Sequence, residues 1–494
     1  MKSHHHEWEP VIGLEIHTEL NTKSKMFSTS FNHFGDEPNS NIDEVCVALP
    51  GTLPVINKEA VKKAIQFGCA INAEIALISQ FDRKSYFYPD SPRNFQITQF
   101  EFPIIKGGSV VAVVEGKEKT FQINRAHLED DAGMLKHFTS FAGVDYNRAG
   151  VPLLEIVSEP CMRSAKDAAG YAMAIKAILE YLDASDCNMD EGSLRIDVNV
   201  SVRKKSETGF RNKIEIKNMN SFSNLELAIS HEIHRQIELY LKHPDVDPLQ
   251  LIKPATYRFD VEKNETVMMR TKEAADDYRY FPEPDLLPLV ITEEEVNEIR
   301  SALPELPLQK EKRFVEELQL STHQAFFLAS DKKIADYFEK ALACTKNGKS
   351  LANWIIVEFP GRLKLQNKLL PTSGILPEHI AELVEMIDQD EITGKIAKSV
   401  ADDMVANPGK TAREIVAENP DYRPIHNVNE IKPIVLEVMQ ENIQSIKDFL
   451  AGKDRALAFL IGQIMKRTKG SASPKIVNAL ITETIEEYKR TGLV

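Results

Sequence analysis

Long apolar runs are missing from this chain of 494 residues. No stretch of about eighteen consecutive apolar residues occurs, which excludes a helical membrane span. The opening MKSHHHEWEP has no apolar core of the kind a secretory leader needs. Cysteine is scarce: five are scattered without ligand spacing. That excludes a disulfide scaffold and points to a reducing cytoplasm. A glycine-rich loop ending in Lys-Ser/Thr is absent, so a nucleotide would need something other than a P-loop. Positive charge is also short, with 60 basic against 74 acidic residues and a net charge of −14. A general nucleic-acid binder needs the opposite balance. There is no internal repeat and no low-complexity tract, and the length predicts two to four domains.

Alternation is what the chain has in quantity. In VIGLEIHTEL, from Val11, Ile12, Leu14 and Ile16 share one face while Glu15, His17 and Glu19 share the other. Period two marks a half-buried strand. A row of Glu and His on it suits a divalent cation or acid–base work, with a solvated face as the alternative. LRIDVNVSVR, from Leu194, repeats the pattern with Arg195 and Asp197 opposite Ile196 and Val198, after Asp190 and Glu191 at the Gly192 turn. Glu215 and Lys217 alternate with Ile214 and Ile216. Arg125, His127 and Glu129 share a face, and PLLEIVSEP adds Glu155 and Glu159. Such strands predict an antiparallel sheet with one face on a core. Carboxylates this dense repel one another unless a metal ion or cations offset them, and a salt-bridge lattice is the bland alternative.

RKSYFYPDSPRNFQITQ sets Arg83, Lys84 and Arg93 around Tyr86, Phe87 and Tyr88, framed by Pro89 and Pro92. It reads as a shaped loop suited to a phosphate or a base, or as aromatics anchoring a loop to the core. DDYRYFPEPDLLP, from Asp276, has the same character. After Pro288 helical spacing replaces alternation, and Asn407, Pro408 and Gly409 form a breaker. Near the end, Lys453, Arg455, Lys466, Arg467, Lys469 and Lys475 face only Asp454, a local balance of +5. That is an RNA-backbone pattern or a solvated helical face.

GLEIHTEL, RKSYFYPDSP, NRAHLEDDAG, DYNRAGVPLLEIVSEP, MDEGSLRIDVNVSVR, EIKNMNSF, DYRYFPEPDL and FLIGQIMKRTKGSASP occur in this order. Together they resemble the B subunit of the Asp/Glu-tRNA amidotransferase over nearly the whole chain. The resemblance implies an α+β fold: a catalytic cradle around an antiparallel sheet over 1–290, a helical domain over 291–408 and a helical, tRNA-binding tail over 409–494. It implies a ligase component that uses ATP to phosphorylate the carboxylate of Glu-tRNA(Gln) or Asp-tRNA(Asn). Ammonia from an amidase partner, held in a heterotrimer with a small third component, then displaces the phosphate. No amidase or glutaminase signature is visible in this chain. A tRNA-binding scaffold and a stand-alone ligase using free ammonia are the competing readings.

Mg²⁺ prefers the oxygens that Glu15, Glu129, Glu191 and Asp197 offer, with His17 nearby. Lys84, Arg83, His17 and Glu155 are the catalytic candidates. Tyr86, Tyr88, Arg125, Arg195 and Lys217 are candidates for ATP or substrate, and Lys466, Arg467, Lys469 and Lys475 for tRNA. One departure concerns zinc. Where some members carry Cys-x-x-Cys, DEVCVALPG has Asp43 and only Cys46, too few thiolates for a structural site.

Overall fold

A computed structural model describes residues 5–217, 219, 221–271, 278–468 and 470–491. The chain forms two compact units, 1–308 and 309–494.

The first unit is built on a ten-stranded sheet. Its central strand, Trp8–Glu19, pairs with Pro152–Ser158 on one side and Leu194–Lys204 on the other. Beyond Pro152–Ser158 come Lys117–Asp130, Ile105–Lys106 and Glu74–Ile75, with Ser109–Val114 also on Lys117–Asp130. Beyond Leu194–Lys204 come Ile214–Lys217, Ala255–Asp260 and Glu265–Thr271. Every pairing is antiparallel except Ile214–Lys217 with Ala255–Asp260. The helix Phe222–Lys242 lies between those two strands in sequence and supplies the crossover a parallel pair needs.

Alternation settles which face is buried. Ile12, Leu14, Ile16, Ile196, Val198, Val200, Ile214 and Ile216 are each no more than 2% exposed and form one core. The helices Lys58–Ala70, Ala165–Tyr181 and Phe222–Lys242 cover it through Phe67, Tyr171, Ile175, Leu225 and Ile229. Asn57, Ser164 and Ser221 cap their N-termini with side-chain oxygens. The opposite face of the sheet is left for the charged residues. Ile291 and Val296 still pack in this core, past the end of the alternating pattern.

The second unit is helical, with two cores. One gathers residues from Phe314 to Ile415 and the other from Ile431 to Ile485. The breaker at 407–409 is a turn, and Ala412 and Ile415 beyond it pack in the first of these cores. No helix among the described residues is long and apolar enough to cross a membrane. The α+β architecture that the resemblance implies is the one observed, and the alternating strands form its sheet.

Candidate active site

Strand register assembles the site. His17 stands opposite Glu155 on one neighbour and Arg195 on the other, and Glu155 stands opposite His127. One row across four strands therefore reads His127, Glu155, His17, Arg195. The next row reads Arg125, Val157, Glu15, Asp197. His17 Nε2 lies 3.4 Å from Glu155, 3.7 Å from Glu129 and 3.8 Å from Glu15. His127 Nε2 lies 3.3 Å from Glu155 and 3.8 Å from Glu129. Thr98 donates to Glu129 at 3.1 Å.

Burial alone would push both imidazoles toward neutrality. The hydrogen bond and charge of Glu155, aided by Glu129, outweigh it and carry His17 and His127 up to about 9. Burial would likewise raise Glu155, but His127 and His17 hold it well below the usual carboxylate range. Glu15 moves the other way, lifted by burial and then by Glu155. The result is a carboxylate held between two rings whose proton affinity it raises, with Glu15 shifted in the direction opposite to Glu155. Two sets can hold a metal ion: Glu15 with His17 and Glu155, and His127 with Glu129 and Glu155. Buried His127 Nδ1 has no hydrogen-bond partner among the described residues. Hard carboxylate oxygens backed by imidazole fit a divalent cation.

Two cavities, of about 560 and 720 Å³, adjoin the cluster and share His17, Lys84, Glu129, Asp197, Lys217 and Tyr278. Both volumes suit a small ligand.

Residues 10–297 match the GatB/GatE catalytic domain, and residues 336–485 match the GatB domain. The chain belongs to the GatB family. It is 65% identical to the B subunit of the aspartyl/glutamyl-tRNA(Asn/Gln) amidotransferase of Protochlamydia amoebophila over 481 residues, 97% of each chain. It is 57% identical to the protein of that name from Chlamydia muridarum over 483 residues, 98% of this chain and 99% of the relative. The Chlamydia trachomatis serovar L2 protein of the same name is 56% identical over 483 residues, with the same coverage.

The matched GatB/GatE region holds all the residues of the cluster. The structure brings Glu15, Glu129 and Glu155 each within 4 Å of His17. Asp197 lines both cavities with its carboxylate on Lys217 at 2.8 Å. Glu191 does not join them: it is exposed at the Gly192 turn and lines neither cavity. The stretch expected as one shaped loop is in fact a hairpin, Asp82–Ser85 against Phe95–Thr98, because Asp82–Ser85 pairs on its other edge with Phe281–Pro282. Neighbours on a strand face opposite ways. Lys84 therefore lines both cavities, 4.9 Å from the Tyr278 ring. Arg83 turns away to grip Glu283 at 2.7 and 2.8 Å and Asp285 at 3.1 Å, stacked 4.3 Å from Phe95.

Arg195 lines the first cavity and meets Asp131 at 2.5 Å; Arg125 lines the second. Tyr86 lines the first cavity, whereas Tyr88 is exposed at the hairpin tip and lines neither. Cys46 is buried, 3.2 Å from the Ser28 hydroxyl. In the tail, Lys466 and Lys475 are exposed. Arg467 is engaged by Glu437 at 2.9 Å and Glu441 at 2.5 Å. Lys469 lies outside the described residues.

Several site residues have no signature of their own. Alternation puts His127 beside Glu129, but nothing local says that this strand lies against Pro152–Ser158. Asp131, held by Arg195 and by Arg148 at 3.5 Å, also lines the first cavity. Its neighbour Glu19 is lifted to about 8, by burial first and Asp131 next.

Proposed function

We propose that this chain is the carboxylate-activating component of an Asp/Glu-tRNA amidotransferase, acting in the cytoplasm with an amidase partner, a small third component and misacylated tRNA. ATP phosphorylates the side-chain carboxylate of glutamate on tRNA(Gln), or of aspartate on tRNA(Asn). Ammonia from the amidase then attacks the acyl phosphate, and phosphate leaves.

The observation that carries this reading is the row His127, Glu155, His17, all lining the second cavity, with His17 and Lys84 at the wall this cavity shares with the first. A reaction that brings two substrates together needs such a wall. Glu15, Glu129, Glu155 and His17 would hold Mg²⁺. When bound, the ion neutralises phosphate charge. Lys84 aims a fixed cation at the transferring phosphoryl group. Glu155 keeps His17 and His127 in place, and Lys217 holds Asp197 out of the repulsion between acids. Arg195, Arg125 and Tyr86 line the walls that substrates pass. In the second unit we assign Lys466, Lys469 and Lys475 to the tRNA backbone, with the basic tail as the reader of shape. Arg83 and Glu191 stand outside this machinery: the first fastens the hairpin and the second is solvated.

The deciding experiment measures ATP hydrolysis stimulated by misacylated tRNA in the assembled complex, with the native chain and with Glu155→Gln. Stimulated hydrolysis that vanishes in the variant supports the reading. Equal hydrolysis in both makes the chain a tRNA-binding scaffold.

A further inference from the structure

The second cavity has a feature the carboxylate chemistry leaves unused. From Lys84 an aromatic wall runs outward: Tyr278 lies 4.9 Å from Lys84 Nζ, Tyr280 lies 6.0 Å from Tyr278, and Phe100 stacks on Tyr280 at 4.2 Å with only 8° between the planes. Tyr280 covers one side of Phe100, yet the residue remains 42% exposed and lines the cavity. An exposed phenyl ring on an outer loop is common and needs no explanation. This one is held in position. Its backbone N–H donates to buried Asp82 at 3.0 Å. The preceding Gln99, 1% exposed, is bonded to the Ser79 hydroxyl and accepts from the backbone of Ile104 and Leu128. Arg125 and Arg270 supply positive charge along the same cavity.

We infer that Phe100 is the platform on which an adenine base stacks, continuing the Tyr280–Phe100 stack, with the rest of the adenosine-bearing substrate reaching inward past Arg125 to Lys84. A ring already paired on one side offers its other side to a flat π-system at little ordering cost. The cations that line the cavity with Phe100 and Lys84 suit a chain of phosphates, or the ribose and ester that follow a terminal adenosine. Both substrates of the reaction proposed above carry adenosine: ATP, and tRNA at its acceptor end. The chemistry recognised is the same, and the inference rests on that reading of the reaction.

The test uses the assembled complex with Phe100→Ala and, as a check on folding and on the need for a ring, Phe100→Trp. Steady-state KM is measured separately for ATP and for the misacylated tRNA. Loss of one stacked base predicts a rise of roughly 10- to 100-fold in one of the two KM values for Phe100→Ala, with Phe100→Trp close to native. A rise confined to ATP identifies its adenine as the occupant; a rise confined to tRNA identifies the terminal adenosine. Binding of ribose 5-triphosphate, which lacks a base, is compared with ATP binding in native and Phe100→Ala complexes, so that the ATP assignment has a readout independent of turnover. If neither KM moves by more than about twofold in Phe100→Ala, the inference is overturned. A native complex with no ATP-dependent amidation would instead overturn the reaction on which the inference rests.

Discussion

Glu129 and Glu155 of the sheet unit are 2% and 9% exposed and face imidazoles across strand pairs. In the helical unit the acids sit outside. Glu418 reaches Lys410 at 2.6 Å with the two side chains 61% and 43% exposed, and Glu391 reaches Arg413 at 2.5 Å in similar surroundings. Exposed pairs of the second kind are worth about 0–1 kcal/mol and serve solubility. Buried groups of the first kind lose hydration that their partners only partly return, so stability alone gives no reason to keep them. The contrast separates the charge we assign to chemistry from charge that faces water, and each part of it can be broken experimentally.

The largest effect belongs to Glu155. Glu155→Gln removes the anion between two imidazoles, and single-turnover phosphorylation should fall by about a thousandfold or more, near 4 kcal/mol of barrier. Glutamine hydrolysis by the partner should persist. Glu418→Gln in the helical unit and Glu191→Ala at the exposed turn should leave the rate within about twofold; a large loss in either would erase the distinction drawn here.

Next is the pair at Asp82–Ser85. Lys84→Ala should slow transamidation about a hundredfold, the scale of one fixed cation facing developing charge. Arg83→Ala should instead lower the melting temperature, because it strands Glu283, which is 3% exposed, with little change in kcat for the folded fraction. If the two variants exchange phenotypes, the assignment of faces is wrong.

A pH series sharpens the contrast further. Glu155 and Glu129 outweigh burial and raise His17 and His127 from 6.5 to about 9, so the test uses complex stripped of divalent cations. A raised imidazole stabilises the fold fully below 6.5, and that contribution fades as pH climbs through about 9. The stability difference between native protein and a His17→Gln/His127→Gln variant should therefore shrink across that window, as followed by denaturant melts. In the helical unit, Glu358 is held below its usual value chiefly by its hydrogen bond to Arg362. Its contribution is present above 4.5 and fades as pH falls below that. Alkaline loss tracking Glu358→Gln rather than the histidines would contradict the account.

The smallest effects lie in the tail. Lys466→Ala and Lys475→Ala should each lower the salt slope of tRNA binding by about 1, if each contacts one phosphate. Arg467→Ala should do less, since Glu437 and Glu441 already engage it. Binding measured at two or more salt concentrations decides between them.

Faces are legible in the sequence and neighbours are not. The period-two pattern places Glu15 and His17 on one face of a strand, and treats 121–129, 194–203 and 214–217 likewise, because alternation is a local property. Which strands touch depends on pairings between segments far apart in the chain, so the meeting of His127 with Glu155 has no local trace. Proline and aromatic content disguises the strand Asp82–Ser85: its partners, Phe95–Thr98 and Phe281–Pro282, lie beyond the prolines that give the segment the composition of a loop. That is why Arg83 and Lys84 look equivalent in sequence. Glu191 errs in the other direction, since an acid beside an alternating strand need not point where the strand points.

The strand at the middle of the sheet is also translated before both of the strands that flank it. Trp8–Glu19 leaves the ribosome long before either neighbour, since Pro152–Ser158 must follow for one edge and Leu194–Lys204 for the other. At ordinary elongation rates the wait is on the order of ten seconds. During it, Ile12, Leu14 and Ile16 have no sheet to cover them and both backbone edges stand open to other chains. A nascent chain of this architecture therefore has its most aggregation-prone interval at the very segment that later carries His17. Slow synthesis or a shortage of chaperone should reduce the yield of soluble protein before it alters any rate constant.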